Sequence, residues 1–210
     1  MKLGALFSGG KDSVFAMYKA MENNEICCLI SIFSENKESY MFHTPNIHLT
    51  ELQAKALKIP ILVQKTKGVK EQELNDLRKV IEKAVKKYKI EGITTGALAS
   101  NYQASRIQKI CDELKIKCIA PLWQRNQLEY LKELIASVFK VIVVGVFAEP
   151  LTEKWLGRTI DETAINELAK LQKTHGLHPA GEGGEIETLV IDGPIFKKRL
   201  EIIKTKITFE

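Results

Sequence analysis

The chain has 210 residues, of which 45% are hydrophobic and 27% charged, and its formal net charge is +5. These values fit a soluble globular protein with one large domain or two smaller ones. No apolar run approaches the ~20 residues that a membrane span needs, and the N-terminus lacks the pattern of a signal peptide. We therefore expect a cytoplasmic protein with no membrane partner.

Short apolar runs alternate with amphipathic patterns through residue 120. The runs predict strands at residues 2–7, 26–33, 61–64, 90–95 and 118–120. The segments between them predict helices at residues 14–21, 49–57, 71–88 and 103–114. Continuous apolar strands separated by helices indicate a parallel sheet that is covered on both faces. Residues 1–120 are therefore predicted to form a doubly wound α/β domain with a parallel five-stranded sheet.

Residues 121–210 are organised differently and are predicted to form a smaller C-terminal α+β domain. Helices are predicted at residues 128–137 and 161–175, and an apolar strand at residues 141–147. A glycine-rich segment then leads into a strand at residues 187–191. The turn Asp192-Gly193-Pro194 separates that strand from a strand-like tail, residues 195–209. Such a turn between two apolar runs predicts that they pair in antiparallel fashion.

The strongest functional signal is Ser8-Gly9-Gly10-Lys11-Asp12-Ser13, called here the phosphate loop, between the first strand and the first helix. Its glycines let the backbone approach phosphate oxygens, and the helix N-terminus and Lys11 attract their negative charge. The hydroxyls of Ser8 and Ser13 can donate further hydrogen bonds. Adjacent glycines exclude both a Walker loop and a dinucleotide-binding motif. Asp12 either caps the helix or contacts Mg²⁺.

This loop resembles the Ser-Gly-Gly-x-Asp-Ser signature of the PP-loop, or N-type, ATP pyrophosphatases. The resemblance implies the HUP-like fold, which is also described as adenine nucleotide alpha hydrolase-like. It further implies that ATP is cleaved between its α- and β-phosphates and that AMP is transferred to a carboxyl or carbonyl oxygen.

Three further segments carry candidate site residues. Residues 39–44 form a polar and aromatic connection after the second strand. In residues 96–106, Ser100 and Gln103 have the spacing of a helix capping box, and Arg106 is placed to face the phosphate loop and bind phosphate in a forked way. Residues 178–188, the acidic segment, carry three glutamates among glycines. They are either a flexible connection, a Mg²⁺ site or a pocket for a cationic substrate.

Together with Pro121-Leu122-Trp123 and Trp155-Leu156-Gly157-Arg158, these segments resemble the diphthine–ammonia ligase (diphthamide synthase) family along essentially the whole chain. The resemblance implies amidation of diphthine on elongation factor 2 through an acyl-adenylate, with ATP, Mg²⁺ and ammonia. It assigns ATP binding to Ser8, Gly9, Gly10, Lys11, Asp12, Ser13, His43 and Gly96. It assigns catalysis to Lys11, Asp12 and Arg106, with Asp12 also a Mg²⁺ ligand. It assigns substrate binding to Ser100, Tyr102, Gln103, Trp123, Glu182, Glu185, Glu187 and Thr188.

The substrate chemistry agrees with these residue types. Diphthine carries a trimethylammonium group beside its carboxylate, and aromatic faces and carboxylates suit such a cation. Tyr102, Trp123 and the glutamates of the acidic segment are the candidates for it. Free ammonia or a separate donor protein is expected to supply the nitrogen, because residue 2 is lysine and not the cysteine that a fused glutaminase would place there. A homodimer is compatible with the sequence.

The sequence argues against two other functions. A tRNA-modifying PP-loop enzyme would carry reactive cysteines, commonly in C-x-x-C, and a concentrated basic surface. The four cysteines have no such spacing and are expected to be small buried residues, and no RNA-binding motif occurs, so no nucleic acid partner is expected. A non-catalytic nucleotide-binding module of the universal-stress type has its glycines late in the domain, unlike this chain.

Overall fold

A computed structural model describes residues 1–36 and 46–208. Five parallel strands form one sheet in the order β3-β2-β1-β4-β5. They are β1 (Lys2–Leu6), β2 (Glu25–Ser34), β3 (Ile61–Thr66), β4 (Gly92–Thr94) and β5 (Lys117–Ile119). The helices between them are α1 (Lys11–Met21), α2 (Thr50–Leu57), α3 (Glu73–Tyr88) and α4 (Asn101–Leu114). The predicted five-stranded doubly wound sheet is confirmed.

The strand order reverses at the centre of the sheet, between β1 and β4. In an open α/β sheet, the crevice beyond the carboxyl ends of the strands at such a reversal is where ligands bind. The chain leaves β1 as the phosphate loop, and it leaves β4 as residues 95–100. These two segments therefore border the same crevice.

The helices cover both faces of the sheet. On one face, α3 and α4 contribute Ile81 and Ile110 to a cluster with Cys28 of β2 and Ile93 of β4. On the other face, α1 packs against the C-terminal part of the chain. That part contains α5 (Gln127–Ala136), β6 (Lys140–Val146), α6 (Glu162–His175) and β7 (Ile186–Asp192), with β6 and β7 antiparallel.

The two parts of the chain share one hydrophobic core. Phe15 of α1 lies 5.6 Å from Tyr130 of α5 and 5.7 Å from Phe139, measured between ring centroids. All three side chains are buried. The division into domains at residues 1–120 and 121–210 stays a prediction, but the C-terminal part is packed directly on the helix that follows the phosphate loop.

The predicted pairing of residues 195–209 with the preceding strand is wrong. Residues 195–208 form no strand, and Ile203 is 96% exposed. One edge of β7 pairs with β6, and the other edge is occupied by the phosphate loop. There, the Val190 N–H donates to the Gly9 carbonyl oxygen at 3.0 Å, and the Val190 carbonyl accepts from Gln53 Nε2 at 2.8 Å. The tail contacts β7 beyond this point, where the Leu200 N–H donates to the Ile191 carbonyl oxygen at 2.9 Å, but it does not continue as a paired strand.

The cysteines are all free thiols. Cys28 and Cys111 are buried as expected, whereas Cys27 and Cys118 are partly exposed. Burial raises the pKa of the Cys28 thiol to about 12, so this thiol is inert at neutral pH. None of the helices in residues 1–36 and 46–208 is long and apolar enough to cross a membrane.

Candidate active site

The phosphate loop is braced by its own serines. The Ser13 hydroxyl accepts a hydrogen bond from the Ser8 N–H at 3.2 Å and donates one to the Gly10 carbonyl oxygen at 3.1 Å. Gly9 has a φ of +79°, which favours glycine, and a side chain there would collide with Gln53. Gly10 is the N-cap of α1 and has no side chain to cap the helix, and Asp12 makes no cap hydrogen bond. Where its first N–H groups are not bound by a side chain, a helix N-terminus is a favourable place for an anion.

Lys11 and Asp12 form a partly buried polar pair at the start of α1. Lys11 Nζ donates to Asp12 Oδ2 at 2.9 Å and to the Ala180 carbonyl oxygen at 2.5 Å. The Tyr130 hydroxyl donates to the other carboxylate oxygen, Asp12 Oδ1, at 2.9 Å. Burial and the nearby Asp12 charge raise the pKa of Tyr130, so its phenol stays neutral and acts as the donor. Two residues of the C-terminal part thus hold the functional groups of the phosphate loop.

The final strand also contacts the loop backbone. The Lys11 N–H donates to the Thr188 hydroxyl at 3.1 Å. Gln53 Nε2 donates to the carbonyl oxygens of Gly9 at 2.9 Å and Val190 at 2.8 Å, and Gln53 is fully buried. The phosphate loop is therefore held between α2 and β7.

Glu182 of the acidic segment reaches the loop that follows β4. Its Oε2 atom accepts a hydrogen bond from the Ala99 N–H at 2.9 Å. Burial, followed by the charge of Asp12, raises the pKa of this carboxyl group above its usual value. Glu182 is therefore a partly buried carboxylate on the side of the crevice that Asp12 also faces.

Glu185 and Glu187 are placed differently. The carboxylate of Glu185 accepts from His178 N at 3.1 Å and from Gly183 N at 2.8 Å, and it contacts His178 Nδ1 at 2.7 Å. Burial opposes ionisation, but hydrogen bonds from the backbone and from His178 outweigh it and lower the pKa of Glu185. Glu185 thus holds the acidic segment in shape. Glu187 pairs with Gly145 of β6 and precedes Thr188 in the strand, so it lies on the opposite face from Thr188.

The segment after β4 lies against the phosphate loop. A side chain at Gly96 would come within 2.7 Å of the Ser13 backbone nitrogen, so only glycine allows this approach. Ser100 caps α4 by accepting from the Gln103 N–H at 3.3 Å, as its spacing predicts. Trp123 is half-buried, and the Gln124 N–H donates to the Leu98 carbonyl oxygen at 2.7 Å, which places this turn beside the same segment.

Arg106 and Tyr102 form a second cluster with Glu71. The Arg106 guanidinium lies 3.5 Å from the centroid of the Tyr102 ring, and its Nε and Nη2 atoms donate to Glu71 Oε1 at 2.8 and 2.5 Å. The Tyr102 hydroxyl donates to the same oxygen at 3.0 Å. The hydrogen bond from Arg106, followed by that from Tyr102, lowers the pKa of Glu71. Arg106 is therefore engaged by a carboxylate and an aromatic face.

The structure thus brings some of the predicted residues together and leaves others apart. Direct contacts join the phosphate loop to Gly96 and Thr188, and Glu182 binds the adjoining Ala99. Arg106 and Tyr102 contact Glu71 instead. Residues 39–44, with His43, lie outside the described residues.

Sequence reasoning missed two residues that hold the loop. Tyr130 lies on the apolar face of its helix, where an aromatic residue usually serves only packing. Gln53 gave a clearer signal, because it is an amide in the buried stripe of α2, together with Thr50, Ala54 and Leu57. A polar side chain in such a stripe requires a partner.

A magnesium ion fits the donor set of this crevice. In residues 1–36 and 46–208, no group of three or more His, Cys, Asp or Glu side chains is placed to hold a metal ion. Mg²⁺ usually takes one or two carboxylates together with substrate phosphates. Asp12, whose side chain is 30% exposed beside the phosphate loop, can supply such a ligand.

Comparisons with known proteins identify the same family along almost the whole chain. A family model described as the diphthamide synthase N-terminal domain matches residues 1–118, and a model for the C-terminal domain matches residues 126–210. A diphthine–ammonia ligase of Mus musculus is 35% identical over 222 residues, covering 96% of this chain and 83% of that protein. The Homo sapiens protein of the same name is 33% identical over 227 residues, covering 99% of this chain and 85% of its own length.

Solved structures are more distantly similar. A predicted subunit of tRNA methyltransferase from Methanocaldococcus jannaschii is 21% identical, covers 95% of this chain and 100% of its own, and gives a TM-score of 0.45. A U34-tRNA thiolase from Methanococcus maripaludis is 16% identical, covers 88% of this chain and 71% of its own, and gives a TM-score of 0.41. At these values neither similarity bears on activity.

Proposed function

The chain belongs to the diphthamide synthase family, and we propose that it is a diphthine–ammonia ligase that uses ATP to amidate diphthine on elongation factor 2. The observation that carries the proposal is that the phosphate loop and the acidic segment form one site. Lys11 Nζ donates to the Ala180 carbonyl oxygen at 2.5 Å, and the Lys11 N–H donates to the Thr188 hydroxyl at 3.1 Å. The nucleotide and its acceptor therefore meet in one crevice.

The first step is transfer of AMP to the acceptor. An oxygen of the diphthine carboxylate attacks the α-phosphorus of ATP, and the bond to pyrophosphate breaks. The departing pyrophosphate carries the negative charge, which the N-terminus of α1 and Lys11 stabilise. Two of the three Lys11 ammonium hydrogens are used by Asp12 and Ala180, so one remains for a phosphate oxygen.

The second step releases AMP. Ammonia attacks the acyl carbon of the adenylate, the carbon–oxygen bond to AMP breaks, and the nitrogen loses a proton to give the amide. Neither step needs a nucleophilic side chain. The protein contributes positioning, which brings the reacting atoms to about 3–3.5 Å from each other.

Recognition of the trimethylammonium group is assigned to Glu182 and Trp123. Both lie beside residues 98–99, because Glu182 accepts from the Ala99 N–H and the Trp123–Gln124 turn binds the Leu98 carbonyl oxygen. A carboxylate and an indole face are suitable partners for such a cation. The ring of Tyr102 is already in contact with the Arg106 guanidinium. The carboxylate of Glu185 accepts hydrogen bonds from within the acidic segment. Tyr102 and Glu185 are therefore not assigned to the cation.

Mg²⁺ is proposed to bind Asp12 together with the phosphates of ATP. When bound, the ion would neutralise charge on the triphosphate and polarise the bond that breaks. The homodimer and the cytoplasmic location stay predictions.

The test is to incubate the protein with ATP, an ammonium salt and elongation factor 2 that carries diphthine. Mass spectrometry should show conversion of the carboxylate to an amide, with AMP and pyrophosphate formed in equal amounts. Lys11→Ala should abolish both products. Formation of ADP, or AMP release that does not depend on the acceptor protein, would contradict the proposed function.

A further inference from the structure

Tyr130 is a buried residue of α5 whose hydroxyl reaches the phosphate loop. Its side chain is 0% exposed, and its ring packs 5.6 Å from that of Phe15. Its hydroxyl donates to Asp12 Oδ1 at 2.9 Å, across 118 positions of the chain. Packing alone would be served by phenylalanine, since a buried hydroxyl must find a partner or lose stability. The contact with Asp12, and not packing in the core, is therefore the reason that this position holds tyrosine.

The contact defines the orientation of the Asp12 carboxylate. Oδ1 accepts from Tyr130, and Oδ2 accepts from Lys11 Nζ at 2.9 Å. Because one donor binds each oxygen, the two hydrogen bonds together hold the orientation of the carboxylate. The Asp12 side chain remains 30% exposed, and each carboxylate oxygen has a second lone pair that these bonds do not use. The result is a carboxylate that is held in place and still open to the crevice.

We propose that Tyr130 is a positioning residue for AMP transfer, because it holds Asp12 in the orientation in which that carboxylate binds Mg²⁺ with the ATP phosphates. The inference rests on the proposed function. Partners that orient a metal-binding carboxylate commonly matter almost as much as the ligand itself, and their loss costs about 10–100-fold in metal affinity or activity. Tyr130 belongs to the C-terminal part, so this part would complete the metal site of the ATP-binding part.

The test compares Tyr130→Phe with Tyr18→Phe in the full chain. Tyr18 belongs to the same aromatic cluster and lies 5.7 Å from Phe15, but its hydroxyl does not contact Asp12. For Tyr130→Phe we expect a rise of about 10–100-fold in the half-saturating Mg²⁺ concentration for AMP formation. Electron paramagnetic resonance of Mn²⁺ with a non-hydrolysable ATP analogue should show a similar loss of affinity. Tyr18→Phe should resemble the wild type in both measurements.

An Asp12→Asn background separates positioning from a general effect. If Tyr130 acts through Asp12, adding Tyr130→Phe to Asp12→Asn should change Mn²⁺ affinity no further. The proposal is overturned if the two losses add, if Tyr130→Phe binds Mn²⁺ like Tyr18→Phe, or if only Tyr130→Phe fails to fold. Absence of AMP formation by the wild type would count against the proposed function, whereas the Mn²⁺ comparison would still decide the role of Tyr130.

Discussion

The backbone N–H of Lys11 donates a hydrogen bond to the Thr188 hydroxyl at 3.1 Å, although 177 positions separate these residues in the chain. The contact joins the first turn of the first helix to the last strand. It lies in a buried region where water cannot replace it, since Lys11 is 3% and Thr188 8% exposed. The conformation of the phosphate loop therefore depends on β7 as well as on its own glycines.

Thr188→Val should destabilise the nucleotide-free protein by about 1–3 kcal/mol, because it leaves the buried Lys11 N–H without an acceptor. Valine keeps the shape of threonine, whereas Thr188→Ser keeps the hydroxyl and loses a methyl group. Urea unfolding measures the change in stability, and titration with an ATP analogue measures the effect on the loop. We expect Thr188→Val to bind the analogue more weakly than Thr188→Ser. The reverse order would mean that the methyl group, and not the hydroxyl, supports the loop.

Gln53→Glu should destabilise the protein by about 3 kcal/mol or more, because it places a carboxylate in a fully buried position against two carbonyl oxygens. The native amide has its orientation fixed by those two acceptors, and this leaves Gln53 Oε1 without a hydrogen bond. Gln172→Glu makes the same chemical change on the exposed surface of α6 and should stay within about 0.5 kcal/mol of the wild type. Equal unfolding midpoints in urea for the two variants would rule out this role for Gln53.

The sheet could be predicted because each of its strands contains a short apolar run and the helices between them have apolar faces. The phosphate loop and the Ser100 cap were predictable for a similar reason, since the chemistry of each depends on residues close in sequence. The contacts of the loop with Thr188, Gln53 and Tyr130 could not be predicted, because each of these residues reaches the loop from a distant part of the chain. Local patterns contain no information on such contacts.

The C-terminal tail shows that a local pattern can also predict a strand pairing that the structure does not contain. Residues 195–209 have the residue types of a strand, and the turn before them favours a hairpin. At Val190 the strand edge they would need is used by Gly9 and Gln53, which lie far away in sequence, and the tail is left with a backbone hydrogen bond from Leu200 to Ile191. Strand propensity describes a segment, whereas pairing requires a free edge, and only the tertiary structure reveals which edges are free.

Glu182→Gln should raise the melting temperature of the nucleotide-free protein at neutral pH. The pKa of Glu182 is raised in the folded state, first by burial and then by the Asp12 charge. Its contribution to stability is therefore fully present below the unfolded-state pKa and is lost as the pH rises through the folded-state pKa. Glutamine can still accept from the Ala99 N–H but carries no charge. The gain should accordingly shrink as the pH falls through the folded-state pKa, because the wild-type carboxyl group then becomes protonated and uncharged as well.

Thermal unfolding of both proteins between acidic and neutral pH provides the measurement. A gain that is the same at every pH would show that the charge of Glu182 is not its cause. The same variant should lose affinity for diphthine-bearing elongation factor 2, because the uncharged amide attracts a trimethylammonium group less strongly. Higher stability combined with weaker acceptor binding is the pattern expected of a carboxylate kept for function.

Arg106 already binds Glu71, which accepts its Nε and Nη2 hydrogens at 2.8 and 2.5 Å. The pair is partly exposed, with side-chain exposures of 28% and 54%, so Glu71→Gln should leave the unfolding midpoint in urea close to that of the wild type. If Arg106 binds phosphate in a forked way, Arg106→Lys should lower kcat/KM for ATP by about tenfold or more, since lysine cannot form two parallel hydrogen bonds. Glu71→Gln should leave kcat/KM within about threefold of the wild type, because it weakens only the competing partner. Steady-state AMP formation measures both, and equal losses in the two variants would instead make the Glu71 pair itself the functional unit.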